Sequence, residues 1–138
     1  MRNGFFMCIV ALLLCVGACN RLGGYQKFLY DVVGSSEIDL SNFDSIVVIP
    51  GSGCPGCISE AEKYCRQSLD RQDKVLFIFT NIVSVKGLHN KFSGLDIFHM
   101  EKVLIDTNNV YYNAECQGNI YPQRIILSEG TIKTVKEL

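Results

Sequence analysis

The chain has 138 residues, 48% of them hydrophobic and 20% charged, with a formal net charge of −1. That is one domain's length, too apolar for a disordered tail and too weakly charged for a basic nucleic-acid binder. It holds seven cysteines and no tryptophan. An odd number of thiols cannot form a simple disulfide framework, so each cysteine has to be placed by its position.

The N-terminus opens with Arg2, continues in an apolar run from Phe5 to Val16 and ends in the small residues Gly17 and Ala18. These are the three parts of a secretory signal. The run is shorter than the ~20 apolar residues that a membrane span needs, and Asn20 and Arg21 stop it. Val16-Gly17-Ala18-Cys19 resembles the lipobox of bacterial lipoproteins. The resemblance implies that residues 1–18 are removed and that Cys19 is acylated, anchoring the chain to a membrane. Cys8 and Cys15 then leave with the signal. The mature chain is expected on the extracytoplasmic side of a bacterial envelope membrane, where disulfides persist. Four thiols remain: Cys54, Cys57, Cys65 and Cys116.

Residues 19–36 read as a lipidated N-terminus and tether, punctuated by Gly23-Gly24 and Gly34-Ser35-Ser36. Within them, Tyr25 to Val33 fits either a short helix or an early strand. The folded domain is expected over 37–138. Ile38 and Leu40 alternate with polar residues, as in a short edge strand. Ser45 to Ile49 is a β-branched run that reads as a buried strand ending at Pro50. Ile58, Ala61, Cys65 and Leu69 then recur at helical spacing on one face. Lys74 to Thr80 is a second strand, apolar on both faces, as in a helix-covered sheet. Strand, helix and strand form a βαβ unit with a right-handed crossover. Val85 to Phe92 suggests a short helix, and Lys102 to Ile105 the strand half of the stretch from Ile97. Asp106-Thr107-Asn108-Asn109 is turn chemistry. Arg124 to Leu127 and Thr131 to Val135, joined through Ser128-Glu129-Gly130, read as a C-terminal hairpin.

Chemistry concentrates at Cys54-Pro55-Gly56-Cys57, between the first buried strand and the helix. A cysteine near the N-cap meets free backbone N–H groups and the positive end of the helix dipole, which favour a thiolate. The pKa of Cys54 is therefore expected below the ~8.5 of a free thiol. Pro55 suits the first helical position, where no N–H is needed. Two intervening residues let the sulfurs meet across one turn, with Cys57 expected to be the deeper. A reactive thiol backed by a resolving thiol is what disulfide exchange requires. Two other readings stay open for these residues. One is a purely structural disulfide. The other is a zinc site built from Cys54, Cys57, Cys65 and Cys116, although zinc sites usually have a second closely spaced pair. Cys65 reads as a small buried hydrophobe, and a Cys65–Cys116 bridge is not settled by sequence. His89 and His99 lack metal-like spacing and read as surface or packing residues. Asp106 and Glu115 are candidate proton donors, better explained as turn and surface groups.

From about residue 37 onward the chain resembles the thioredoxin superfamily, and within it the membrane-anchored thiol–disulfide oxidoreductases of the bacterial envelope. The likeness rests on Cys54-Pro55-Gly56-Cys57 after an apolar strand, the next apolar strand, Lys102 to Asp106, and Tyr121-Pro122 before the hairpin. It implies a thioredoxin-like α/β fold with a central mixed β-sheet, flanking helices and the C-terminal hairpin. It implies catalytic Cys54 and Cys57 forming a redox-active disulfide. It also implies a cis bond before Pro122 and backbone pairing of substrate with Tyr121. No metal or organic cofactor is expected. The expected partners are protein thiols and disulfides and a membrane redox carrier, with the protein a monomer. Val48 stands where thioredoxins keep a buried carboxylate, so another group or water has to take the Cys57 proton.

Overall fold

The structure, a computed structural model, describes residues 23–138. The expected signal over residues 1–18 and the expected lipid site Cys19 lie outside the described residues. The segment that fits either a helix or a strand is a helix, α1, spanning Gly24–Gly34. Tyr25, Leu29 and Val33 recur every fourth residue, face inward and are fully buried. At roughly 1.5–3 kcal/mol per buried side chain, this stripe makes α1 part of the core. The folded unit therefore begins near residue 24 rather than 37.

The edge strand expected at Ile38 and Leu40 is absent, and a 3₁₀ turn covers Leu40–Asn42. Asp39 explains the change. Its carboxylate accepts from the Ser41 N–H at 3.1 Å, the Ser41 hydroxyl at 2.6 Å and the Asn42 amide at 2.9 Å. An acidic side chain that closes its own turn outcompetes a weak strand alternation.

The remaining elements follow the expected order: β1 (Ser45–Pro50), α2 (Pro55–Arg71), β2 (Val75–Thr80), α3 (Val85–Lys91), β3 (Val103–Ile105), β4 (Gln123–Ser128) and β5 (Thr131–Glu137). The strand expected over Lys102 to Ile105 is the short β3, and the first half of that stretch holds a 3₁₀ turn over Ile97–His99. The sheet order is β3-β2-β1-β4-β5. β1, β2 and β3 are parallel, while β4 runs antiparallel to β1 and β5 antiparallel to β4. The fold is a mixed five-stranded α/β sheet with helices on both faces, consistent with a thioredoxin-like fold.

Both central strands are buried along their whole length, so successive residues fill two cores. Ile46, Val48, Leu76 and Ile78 join α1 and the hairpin residues Ile125, Leu127 and Val135. Val47, Ile49, Phe77 and Phe79 join Ile58, Ala61, Cys65 and Leu69 of α2 and Leu88 of α3. With β1 held in the middle of the sheet, its carboxyl end becomes a fixed platform for the residues that follow.

Candidate redox site

The loop after β1 is confined by close backbone approaches. A Cβ on Gly51 would overlap the Asn81 carbonyl, and one on Gly53 would overlap the Ile120 carbonyl. Gly53 also has φ +146°, a conformation that suits glycine alone. Asn81 stitches the neighbouring loop on, donating from its side chain to the Ser52 hydroxyl at 2.9 Å and from its backbone to the Asn109 side chain at 3.0 Å.

Cys54 is the N-cap of α2, with φ −73° and ψ 104°. Its Sγ accepts from the Cys57 N–H at 3.4 Å, and its carbonyl accepts from the Ile58 N–H at 3.0 Å. Pro55 occupies the first turn, which contains no acidic side chain. A negative charge on sulfur there would meet the helix dipole without carboxylate repulsion. Cys54 and Cys57 are joined by a disulfide, with their Cα atoms 5.3 Å apart. Both cysteines are half-buried, while Pro55 and Gly56 are exposed. The expected depth difference between the two cysteines does not appear as a difference in burial class.

Tyr121 and Pro122 lie at the same end of the sheet, but they are arranged differently from expectation. No cis peptide bond occurs among the described residues, so the bond before Pro122 is trans. The backbone around this trans bond is tied to the rest of the protein by hydrogen bonds. The Ile120 carbonyl accepts from the Cys54 N–H at 3.0 Å, the Tyr121 N–H donates to Gly118 at 3.2 Å, and the Pro122 carbonyl accepts from the Leu138 N–H at 3.0 Å. The Gln123 amide donates to the Tyr121 carbonyl at 3.3 Å. Ile120 is thus the residue whose backbone meets the cysteine loop, and Tyr121 has both backbone polar groups engaged within the protein. Nothing in the sequence pattern singles out Ile120.

A groove of about 550 Å³ runs beside Cys57, lined by Gly56, Cys57, Glu60, Tyr64, Arg124 and Leu138. Arg124 lays its guanidinium over the Tyr64 ring, 5.6 Å from the centroid. Its place on the α2 side could have been read from the alternation along β4, where a charged residue interrupts an apolar run. Glu60 is the carboxylate lining this groove, one turn along α2 from Cys57.

The other candidate groups are structural. Val48 is fully buried in the α1-side core. Asp106 accepts from the Thr80 hydroxyl at 2.7 Å and from the backbone N–H groups of Val110 and Tyr111, each at 2.9 Å. Its carboxylate is consumed in anchoring the loop after β3. Glu115 is exposed. His99 pairs with Asp96 at 2.9 Å, and His89 stacks on Phe98. Cys65 is buried and unpaired, and burial pushes its thiol up to about 12. Cys116 packs against the core on the opposite face of the sheet. A sheet between the two thiols rules out the short Cα separation that a disulfide requires. No group of three or more potential metal ligands occurs among the described residues.

No family model, curated protein or solved structure matches this chain. The site has to be read from its own geometry: a cross-linked Cys-x-x-Cys pair at a strand-to-helix junction, beyond the carboxyl end of the central strand of an α/β sheet.

Proposed function

We propose that the protein is a thiol–disulfide oxidoreductase of thioredoxin-like type, anchored through an acylated Cys19 on the extracytoplasmic side of a bacterial envelope membrane. The observation that carries this reading is the Cys54–Cys57 disulfide with Cys54 as the N-cap of α2. A purely structural bridge has no need for a helix N-terminus free of acidic residues, whereas a leaving and attacking thiolate is stabilised by one.

In the reducing direction, the Cys54 thiolate attacks one sulfur of a substrate disulfide and forms a mixed disulfide, releasing a substrate thiolate. Cys57 loses its proton to solvent or to the leaving thiolate and attacks the Cys54 sulfur. The second substrate thiolate departs and takes up a proton. Two electrons pass to the substrate, and the Cys54–Cys57 bond is regained. The same steps in reverse oxidise a substrate dithiol. Repeated turnover requires a second redox partner, for which a membrane electron carrier is suitable. Ile120, Tyr121 and Pro122 form the wall against which a substrate chain would lie.

Trapping tests this reading. With Cys57→Ala, a disulfide-containing peptide should accumulate as a mixed disulfide on Cys54, visible as a mass increase removed by reductant. A non-catalytic binding module would give no adduct above that formed by Cys65 or Cys116.

A further inference from the structure

Six large hydrophobic side chains are exposed among the described residues: Tyr30, Val83, Val85, Val110, Ile120 and Leu138. Taken singly, such residues are ordinary. Five of the six gather at one end of the sheet. Val83 and Val85, 77% and 50% exposed, follow the carboxyl end of β2. Val110 follows the carboxyl end of β3, its N–H held by Asp106. Ile120 abuts Gly53 and Cys54. Leu138 follows the end of β5 and hydrogen-bonds Pro122. This is the end that carries Cys54 and Cys57. The opposite end of the sheet lies about 20 Å away, the length of the six-residue β1 and β2. Exposed apolar side chains confined to one end of the sheet suit that end to a lipid surface.

The start of the described chain is at the same end. Gly24 sits against Cys116 and Gln117, the Tyr25 N–H donates to the Gln117 carbonyl at 3.2 Å, and Gly23 shares a cleft with Tyr121 and Glu137. α1 then runs away from the disulfide, so that Gly34 meets Ile132 near the hairpin turn. Only residues 20–22 separate Cys19 from Gly23. Four Cα steps reach at most about 14 Å even when fully extended.

We propose that the domain is held with its redox end facing the bilayer, its apolar rim of Val83, Val85, Val110, Ile120 and Leu138 resting on the lipid surface. This rests on acylation of Cys19 and on the redox role proposed above. Its consequence is a substrate class: cysteine pairs presented at the membrane surface by embedded or anchored proteins, rather than those of freely diffusing proteins. The short tether sets the distance, and the position of α1 sets the orientation.

The test uses the mature full-length chain purified from bacterial membranes and placed in phosphatidylethanolamine/phosphatidylglycerol vesicles. With the Cys54–Cys57 pair reduced, Cys54 is labelled with a 5-kDa polyethylene-glycol maleimide. Labelling should be at least tenfold slower than for the soluble variant Cys19→Ser. A twenty-residue Gly/Ser spacer inserted after Arg21 should return it to within about twofold of the soluble rate. Replacing Val83 and Val110 by Ser, residues outside the cysteine machinery, should remove part of the protection. Equal labelling of anchored and soluble forms would overturn the orientation. Two controls separate this failure from that of the underlying reading. The mass of the Cys19 peptide reports acylation, and its absence overturns both the anchor and the orientation. Exchange of the Cys19→Ser form with a soluble disulfide peptide reports redox competence, and its absence overturns the substrate class while leaving the protection measurement to judge the geometry.

Discussion

The first and third turns of α2 hold the same functional group in opposite circumstances. Cys54 and Cys57 stand half-buried at the helix N-terminus, bonded to each other and beside an open groove. Cys65 lies on the face of the helix that meets β1 and β2, fully buried, with its thiol pushed up to about 12 by loss of solvent. Eleven positions along the chain separate Cys54, placed for exchange, from Cys65, whose burial keeps it neutral. The difference comes from the sheet. Its carboxyl edge leaves the first turn exposed, and its face buries the third. On the proposed function, the reactivity of the α2 thiols is set by their height along the helix, and that contrast can be broken at several points.

The largest effect belongs to Cys54. Cys54→Ser should reduce disulfide exchange at least a thousandfold in a peptide-reduction assay, while Cys65→Ala should leave it within about twofold. Equal losses would remove the distinction between the two turns. Gly53→Ala comes next. It places a Cβ onto the Ile120 carbonyl at φ +146°. Urea unfolding should show a loss of about 2–4 kcal/mol, with slowed exchange in the fraction that remains folded.

Asp106→Ala should cost about 2–3 kcal/mol, because the Thr80 hydroxyl and two backbone N–H groups lose their acceptor. Exchange by the folded variant should stay within about threefold of the parent. A collapse of exchange at unchanged stability would instead make Asp106 a proton carrier for Cys57.

The smallest effect is a pH dependence. The Cys65 thiol has a folded-state pKa of about 12, raised by burial, against ~8.5 for an unfolded thiol. Both states hold the proton below the unfolded value, so the contribution is fully present there. As pH rises, the unfolded chain ionises first, and the contribution is lost between about 8.5 and 12. The stability advantage of the parent over Cys65→Ala should shrink by about 2 kcal/mol at pH 10. A constant difference across that range would mean that Cys65 ionises freely in the folded state.

Much of this arrangement was legible in the sequence, for identifiable reasons. β1 and β2 are long β-branched and aromatic runs whose burial on both faces leaves little choice of structure. The α2 stripe of Ile58, Ala61, Cys65 and Leu69 is periodic, and Cys54-Pro55 marks its start by capping chemistry. Ile38–Leu40 misled because Asp39 closes a local turn that alternation cannot register. The α1 stripe of Tyr25, Leu29 and Val33 is helical in period, but the flanking glycines mimic a tether. The loop before β4 was misread for a different reason. The segment leading to Pro122 is held by a backbone hydrogen bond from Cys54 to Ile120, sixty-six residues apart in the chain. Long-range backbone hydrogen bonds leave no local pattern to read.

The central claim is that Cys54–Cys57 is a working redox couple and not a fixed staple. Equilibration of the protein with glutathione buffers of varied ratio, followed by acid quench and counting of free thiols, tests it directly. A working couple predicts reversible two-electron titration of Cys54 and Cys57 alone, with a potential above about −300 mV and the fold retained in the reduced form. A pair that stays oxidised throughout the glutathione range, or whose reduction unfolds the domain, would contradict it.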